Sequence, residues 1–95
     1  MISQPTLETF KREARDAGFD EIVERTWAPS TVLETHTHPF AVRALVTDGE
    51  MWLIVGDDER HLLPGDHFAL EREVAHAERY GPHGATYWAA RRRGA

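Results

Sequence analysis

Apolar residues recur at helical spacing only near the start of the chain. Leu7, Phe10, Ala14 and Ala17 share one face of a segment from about Thr6 to Ala17. This predicts a short helix with Thr6 as its cap and Gly18 as its left-handed stop. Its apolar stripe is narrow, so the helix is expected to lie across a sheet or a subunit boundary. Beyond Gly18 the rhythm changes to short runs rich in β-branched and aromatic residues, cut by Gly, Pro and Asp. Glu21 to Trp27 and Thr31 to His38 read as strands closed by Pro29 and Pro39. Ala41 to Val46 and Glu50 to Val55 read as a hairpin about Thr47-Asp48-Gly49. Arg60 to Leu63, His67 to Leu70, Ala75 to Tyr80 and Ala85 to Arg91 complete the set, the last two separated by Gly81-Pro82-His83-Gly84. Many short strands with turn signals about every 8–12 residues indicate an all-β sandwich or closed barrel.

Composition narrows the class. A length of 95 residues fits one domain, divided here into a helical segment at 1–18 packed on a barrel at 19–95. A formal net charge of -5 argues against nucleic acid as a partner. The one basic run, Arg91-Arg92-Arg93, reads as a solvated strand end or tail. No cysteine is present, which excludes disulfides and thiolate metal sites. Met1 to Pro5 lacks the basic and apolar regions of a secretory leader, and no apolar run approaches the ~18 residues of a membrane span. A cytoplasmic protein without a membrane partner is expected.

Six histidines in so short a chain carry the candidate chemistry. In His36-Thr37-His38 the two imidazoles are two residues apart near a strand end, so both face one side. They could grip one ion at about 2.0–2.1 Å per Zn–N bond. His76, which comes after the Pro64-Gly65-Asp66 turn, is the third candidate ligand. A barrel could bring it opposite the pair.

On these residues the stretch from about Ser30 to Tyr80 resembles the cupin superfamily. Its first motif is matched by His36, His38 and Gly49, with Ser30 standing where a glycine belongs. Its second is matched by Gly65 and His76, while Glu71 and Glu73 replace a proline and a glycine and Tyr80 replaces an asparagine. The resemblance implies a small double-stranded β-helix (a cupin or jelly-roll barrel), often a homodimer, with one metal inside. The motif glutamate is missing. Val42 holds its position if Gly49 keeps register, and Arg43 if one more residue is allowed. The expected site is therefore three neutral histidines around one divalent transition metal, with Zn²⁺, Fe²⁺, Ni²⁺ or Cu²⁺ all suited. An undiminished dication charge favours an anionic substrate or a bound hydroxide. The competing reading is a barrel that has lost its metal and lines a ligand pocket with the same histidines.

Glu78 and Tyr80 share the parity of His76 and are the candidate catalytic residues. Glu78 could be a fourth ligand, an anchor for an imidazole or a general base, unless it lies beyond the rim in water. Tyr80 could donate to substrate or simply fill the barrel. Glu34 shares the parity of His36 and His38 and could place a second carboxylate near the site or at the barrel end. Arg43 is expected on the opposite face from Val42. His61, His67 and His83 read as surface or structural. Among the aromatics, Trp52 and Trp88 are the first candidates for pocket walls, with Phe40, Phe68 and Tyr87 behind them. Three functions follow. One is an enzyme acting on a small organic molecule as an oxygenase, isomerase or lyase. Another is a non-catalytic ligand- or metal-binding sensor module. The third is a structural dimer whose histidines stabilise the barrel through a metal.

Overall fold

The structure is a computed structural model, which describes residues 7–92. One helix, α1 (Leu7–Asp16), precedes six strands: β1 (Glu21–Trp27), β2 (Val32–His36), β3 (Ala41–Val55), β4 (Asp58–Leu62), β5 (His67–Leu70) and β6 (His76–Arg92). Thr6, the expected cap, lies outside the described residues. The helix stops at Asp16, and Gly18 follows at φ +89°, the left-handed stop its position predicts. This helix is too short to cross a membrane, and no other described helix is long and apolar enough to do so.

The expected hairpin about Thr47 to Gly49 is not there, nor is the strand break expected at Gly81 to Gly84. Ala41 to Val55 is one strand, and so is His76 to Arg92. The two run antiparallel from Ala41↔Arg92 to Ile54↔Ala77. Thr47-Asp48-Gly49 does not reverse the chain. It falls at the register shifts between Val46 and Asp48 and between Gly49 and Met51. There extra residues bulge out and the ribbon bends. Gly81 to Gly84 is the matching corner in β6. Glycine and proline signals here mark bends within strands, which sequence pattern alone does not separate from chain reversals.

The bend makes two half-sheets from one ribbon. One half is β1, the end of β6, the start of β3, and β5. The other is β2, the start of β6, the end of β3, and β4. Their inner faces bury Val42, Val46, Met51, Leu53, Leu62, Phe68, Tyr80 and Tyr87 in one core. α1 covers the outer face of the first half-sheet, where Phe10 and Ala14 meet Leu45, Ala90 and Phe19. The true hairpin joins β3 to β4 through Gly56-Asp57, with Val55 opposite Asp58. Glycine at the first position, at φ +59°, is the type II′ pattern. Pro64-Gly65 forms the expected turn, closed by Asp66 N–H donating to Leu63 O at 2.9 Å, with Gly65 at φ +96°.

Two departures from the glycine pattern leave a visible strain. Ser30 (φ 58°) and Glu73 (φ 62°) are the only non-glycine residues at positive φ among those described. Both stand where the cupin motifs carry glycine, and the backbone keeps the conformation that glycine would take without cost.

Two stability predictions follow from these backbones. A methyl group on Gly49 would collide with the Gly84 carbonyl and lie 2.8 Å from Ala85 Cα. Gly49→Ala is therefore expected to cost more than about 2 kcal/mol in denaturant unfolding. Ser30→Gly and Glu73→Gly are expected to stabilise by about 0.5–1 kcal/mol each, relieved strain outweighing the added freedom of the unfolded chain. Calorimetry checks this, and a lower Tm for both would refute it.

Candidate metal centre

His36 closes β2, His38 lies two residues on, and His76 opens β6, directly opposite His36 in the register. Their ligand nitrogens all lie within 4.8 Å of one another. The ring centroids are 4.4 Å apart for His36 and His76, 4.8 Å for His36 and His38, and 5.0 Å for His38 and His76. Backbone carbonyls fix two of the rings. His36 Nδ1–H donates to Glu34 O at 2.7 Å, and His76 Nδ1–H donates to Val74 O at 2.9 Å. A carbonyl only accepts, so each neutral imidazole turns its Nε2 lone pair inward. The His38 ring stacks on Phe40, with centroids 4.9 Å apart and planes at 15°. Burial, with His76 and His36 close by, holds the His38 pKa below its usual value.

A carboxylate completes the cluster. Glu78 is 5% exposed, and its Oε2 lies 3.6 Å from His36 Nε2 and 3.7 Å from His76 Nε2. Its Oε1 accepts from the Tyr80 hydroxyl and, at 3.4 Å, from the Tyr87 hydroxyl. Trp27 Nε1–H in turn donates to Tyr87 Oη at 3.3 Å. Glu78 is thus inside the barrel rather than beyond its rim, and the group is not the all-neutral set expected from the histidines alone. Two imidazole lone pairs aimed at one carboxylate oxygen repel unless a cation or protons lie between them. The donor set therefore fits a divalent metal: three imidazole nitrogens and one carboxylate oxygen.

The cluster opens into a cavity of about 110 Å³. Its walls include Trp27, Leu33, Phe40, Val42, Phe68 and Tyr87, with Arg25 and Arg91 among the lining residues. Several expectations change here. Trp52 and Trp88 are not walls: Trp52 stacks on His61 at 4.6 Å, and Trp88 packs in the cluster beneath α1. The wall tryptophan is Trp27, which parity along β1 could have suggested. Glu34 is exposed, because an irregularity in β2 between Leu33 and His36 breaks the alternation. Leu33 faces the cavity in its place. Arg91 is no free tail: it is part of β6, donates to Glu21 Oε1 at 3.2 Å and lies 4.7 Å from the Phe40 ring centroid. Arg93 lies outside the described residues. Val42 lines the cavity, while Arg43 sits over Phe19 in the cluster beneath α1. His61, His67 and His83 are all exposed.

Solved structures with the same architecture include an RmlC-like cupin from Shewanella frigidimarina NCIMB 400 (TM-score 0.68, 20% identity, 77% of this chain and 65% of that one). A structure reported for DMSP lyases matches at TM-score 0.70 and 19% identity, over 78% of this chain and 38% of that one. An oxalate oxidase in complex with the substrate analogue glycolate matches at TM-score 0.67 and 21% identity, over 76% and 41%. The fold is that of a cupin. The chain spans about two fifths of the length of the two enzymes and about two thirds of that cupin. Neither a family profile nor a curated protein matches it.

The phenols of this chain give a pH signature. The chain has only two tyrosines, Tyr80 and Tyr87, and both are buried beside Glu78. Burial raises both pKa values above the usual 10.0, and the neighbouring Glu78 raises them further. A group raised on folding stabilises fully below its unfolded pKa and loses that contribution as pH climbs above it. Tyrosinate absorbance is therefore expected to stay silent through pH 10 and to rise only together with loss of the β-sheet circular dichroism. A smooth titration centred near pH 10 with the sheet intact would contradict the burial of both phenols.

Proposed function

We propose that this small cupin holds one divalent transition metal ion through His36, His38 and His76, with Glu78 beside it. Its role in this reading is enzymatic, on a small organic molecule, as an oxygenase, isomerase or lyase. The observation that carries it is the convergence of imidazole lone pairs and a carboxylate oxygen at the wall of a cavity. A metal there supplies Lewis acidity, and Zn²⁺, Fe²⁺, Ni²⁺ and Cu²⁺ all suit the donors. Proteins named as a lyase and an oxidase share the architecture, which supports enzymatic use of the cavity without choosing the reaction.

The chain's own residues have separable tasks in this reading. The Nδ1–H bonds to Glu34 and Val74 set the orientation of His36 and His76, and Phe40 sets that of His38. Tyr80 and Tyr87 occupy Glu78 Oε1, leaving Oε2 as the oxygen able to take a proton from substrate or to ligate. Tyr80, 2% exposed and turned onto Glu78, is a positioning residue.

Calorimetric titration of the purified protein with Zn²⁺ tests the centre. One ion per chain is expected. His76→Ala is expected to weaken it beyond the roughly 10–100-fold that loss of an outer-shell partner costs. Equal Zn²⁺ affinity in His76→Ala would remove the metal from this reading.

A further inference from the structure

Two arginines line the cavity, and their circumstances differ. Arg91 is committed: its guanidinium meets Glu21 at 3.2 Å and lies 4.7 Å from the Phe40 ring centroid. Arg25 has no such partner. Among the described residues no carboxylate comes within ion-pair distance of it. Its guanidinium lies 5.0 Å from the Trp27 ring centroid, which holds the long side chain against the wall. Arg25 is half-buried, and on β1 it shares the inward face of Val23 and Trp27.

At the histidine end, by contrast, the carboxylate of Glu78 already faces the cluster. Without a metal, an anion entering the cavity therefore meets its uncompensated positive charge at Arg25; a bound divalent ion would add positive charge at the histidine end. The space between is bounded by apolar side chains such as Leu33, Phe40 and Phe68. A cavity of about 110 Å³ is somewhat smaller than one of about 150 Å³ that takes benzene, so it suits an occupant of only a handful of heavy atoms.

We propose that Arg25 is the specificity-determining residue of the cavity, binding the carboxylate of a small aliphatic acid whose other end faces the three histidines. The guanidinium offers paired N–H donors that match a carboxylate, and half-burial strengthens the bond relative to one in water. Arg91 adds longer-range positive potential, since Glu21 already holds it. This inference rests on the reading of the cavity as a small-molecule site, and it is independent of whether that site carries metal.

Butyrate and its neutral isostere butyramide, titrated into the full chain with and without Zn²⁺ and followed by amide chemical shifts, separate the possibilities. Butyrate is expected to bind about 10–100-fold more tightly than butyramide, with the largest shifts on β1 and β2. Arg25→Gln is expected to remove that preference, leaving butyramide and Zn²⁺ affinities unchanged, and Arg25→Lys is expected to restore part of it. Methylphosphonate binding more tightly than butyrate would overturn the carboxylate assignment. Equal affinity of the wild-type protein for butyrate and butyramide would overturn the proposal without any variant. So would an undiminished butyrate preference in Arg25→Gln. Failure of Zn²⁺ to bind, with the Arg25 dependence intact, would remove the metal reading and leave the carboxylate site standing.

Discussion

β3 and β6 are hydrogen-bonded to each other from Ala41↔Arg92 to Ile54↔Ala77, and every other strand finds its place along that ribbon. β1 and β2 add to the free edge of β6, β4 and β5 to that of β3. A flat ribbon of that length could not enclose anything. The bulges around Thr47 to Gly49, and the corner at Gly81 to Gly84, turn its two ends toward different half-sheets. Close approach of Gly49 to the Gly84 carbonyl leaves no room for a side chain there. The cavity exists because the bend brings β2 and the start of β6 to face β5 and the end of β6.

Within that enclosure Glu78 is the costliest group. Taking a carboxylate out of water costs several kcal/mol unless hydrogen bonds and opposite charge replace what water supplied. Tyr80 and Tyr87 satisfy one oxygen, and two imidazoles face the other. The carboxylate comes from two residues after His76, not from the position in the first motif, where Val42 stands. A carboxylate beside the histidines is kept, although it is delivered by a different strand.

Much of this was legible in the chain. β1 and β5 fall where alternation and turn residues place them, because short strands between strong breakers leave few choices. Period-two parity also placed Glu78 and Tyr80 on the face of His76, since β6 is regular over that stretch. Parity failed for Glu34, where the irregularity in β2 moves Leu33 into line with His36. It could not tell a bend from a reversal either: Thr47-Asp48-Gly49 has the chemistry of a turn, and only pairing with a partner strand decides between them. The capture of Arg91 by Glu21 and Phe40 depends on which strands become neighbours, which local pattern does not record.

β6 is the last of the described strands, and β1, β2 and β3 all pair with it. Glu21 meets a partner seventy residues away at Arg91. During synthesis the earlier strands therefore emerge with their central edge missing, and only the β3 hairpin with β4 and its pairing with β5 can form early. The barrel, its cavity and the three-histidine cluster arise together, once β6 has left the ribosome. Until then the nascent chain exposes apolar strand edges of the kind that chaperones recognise.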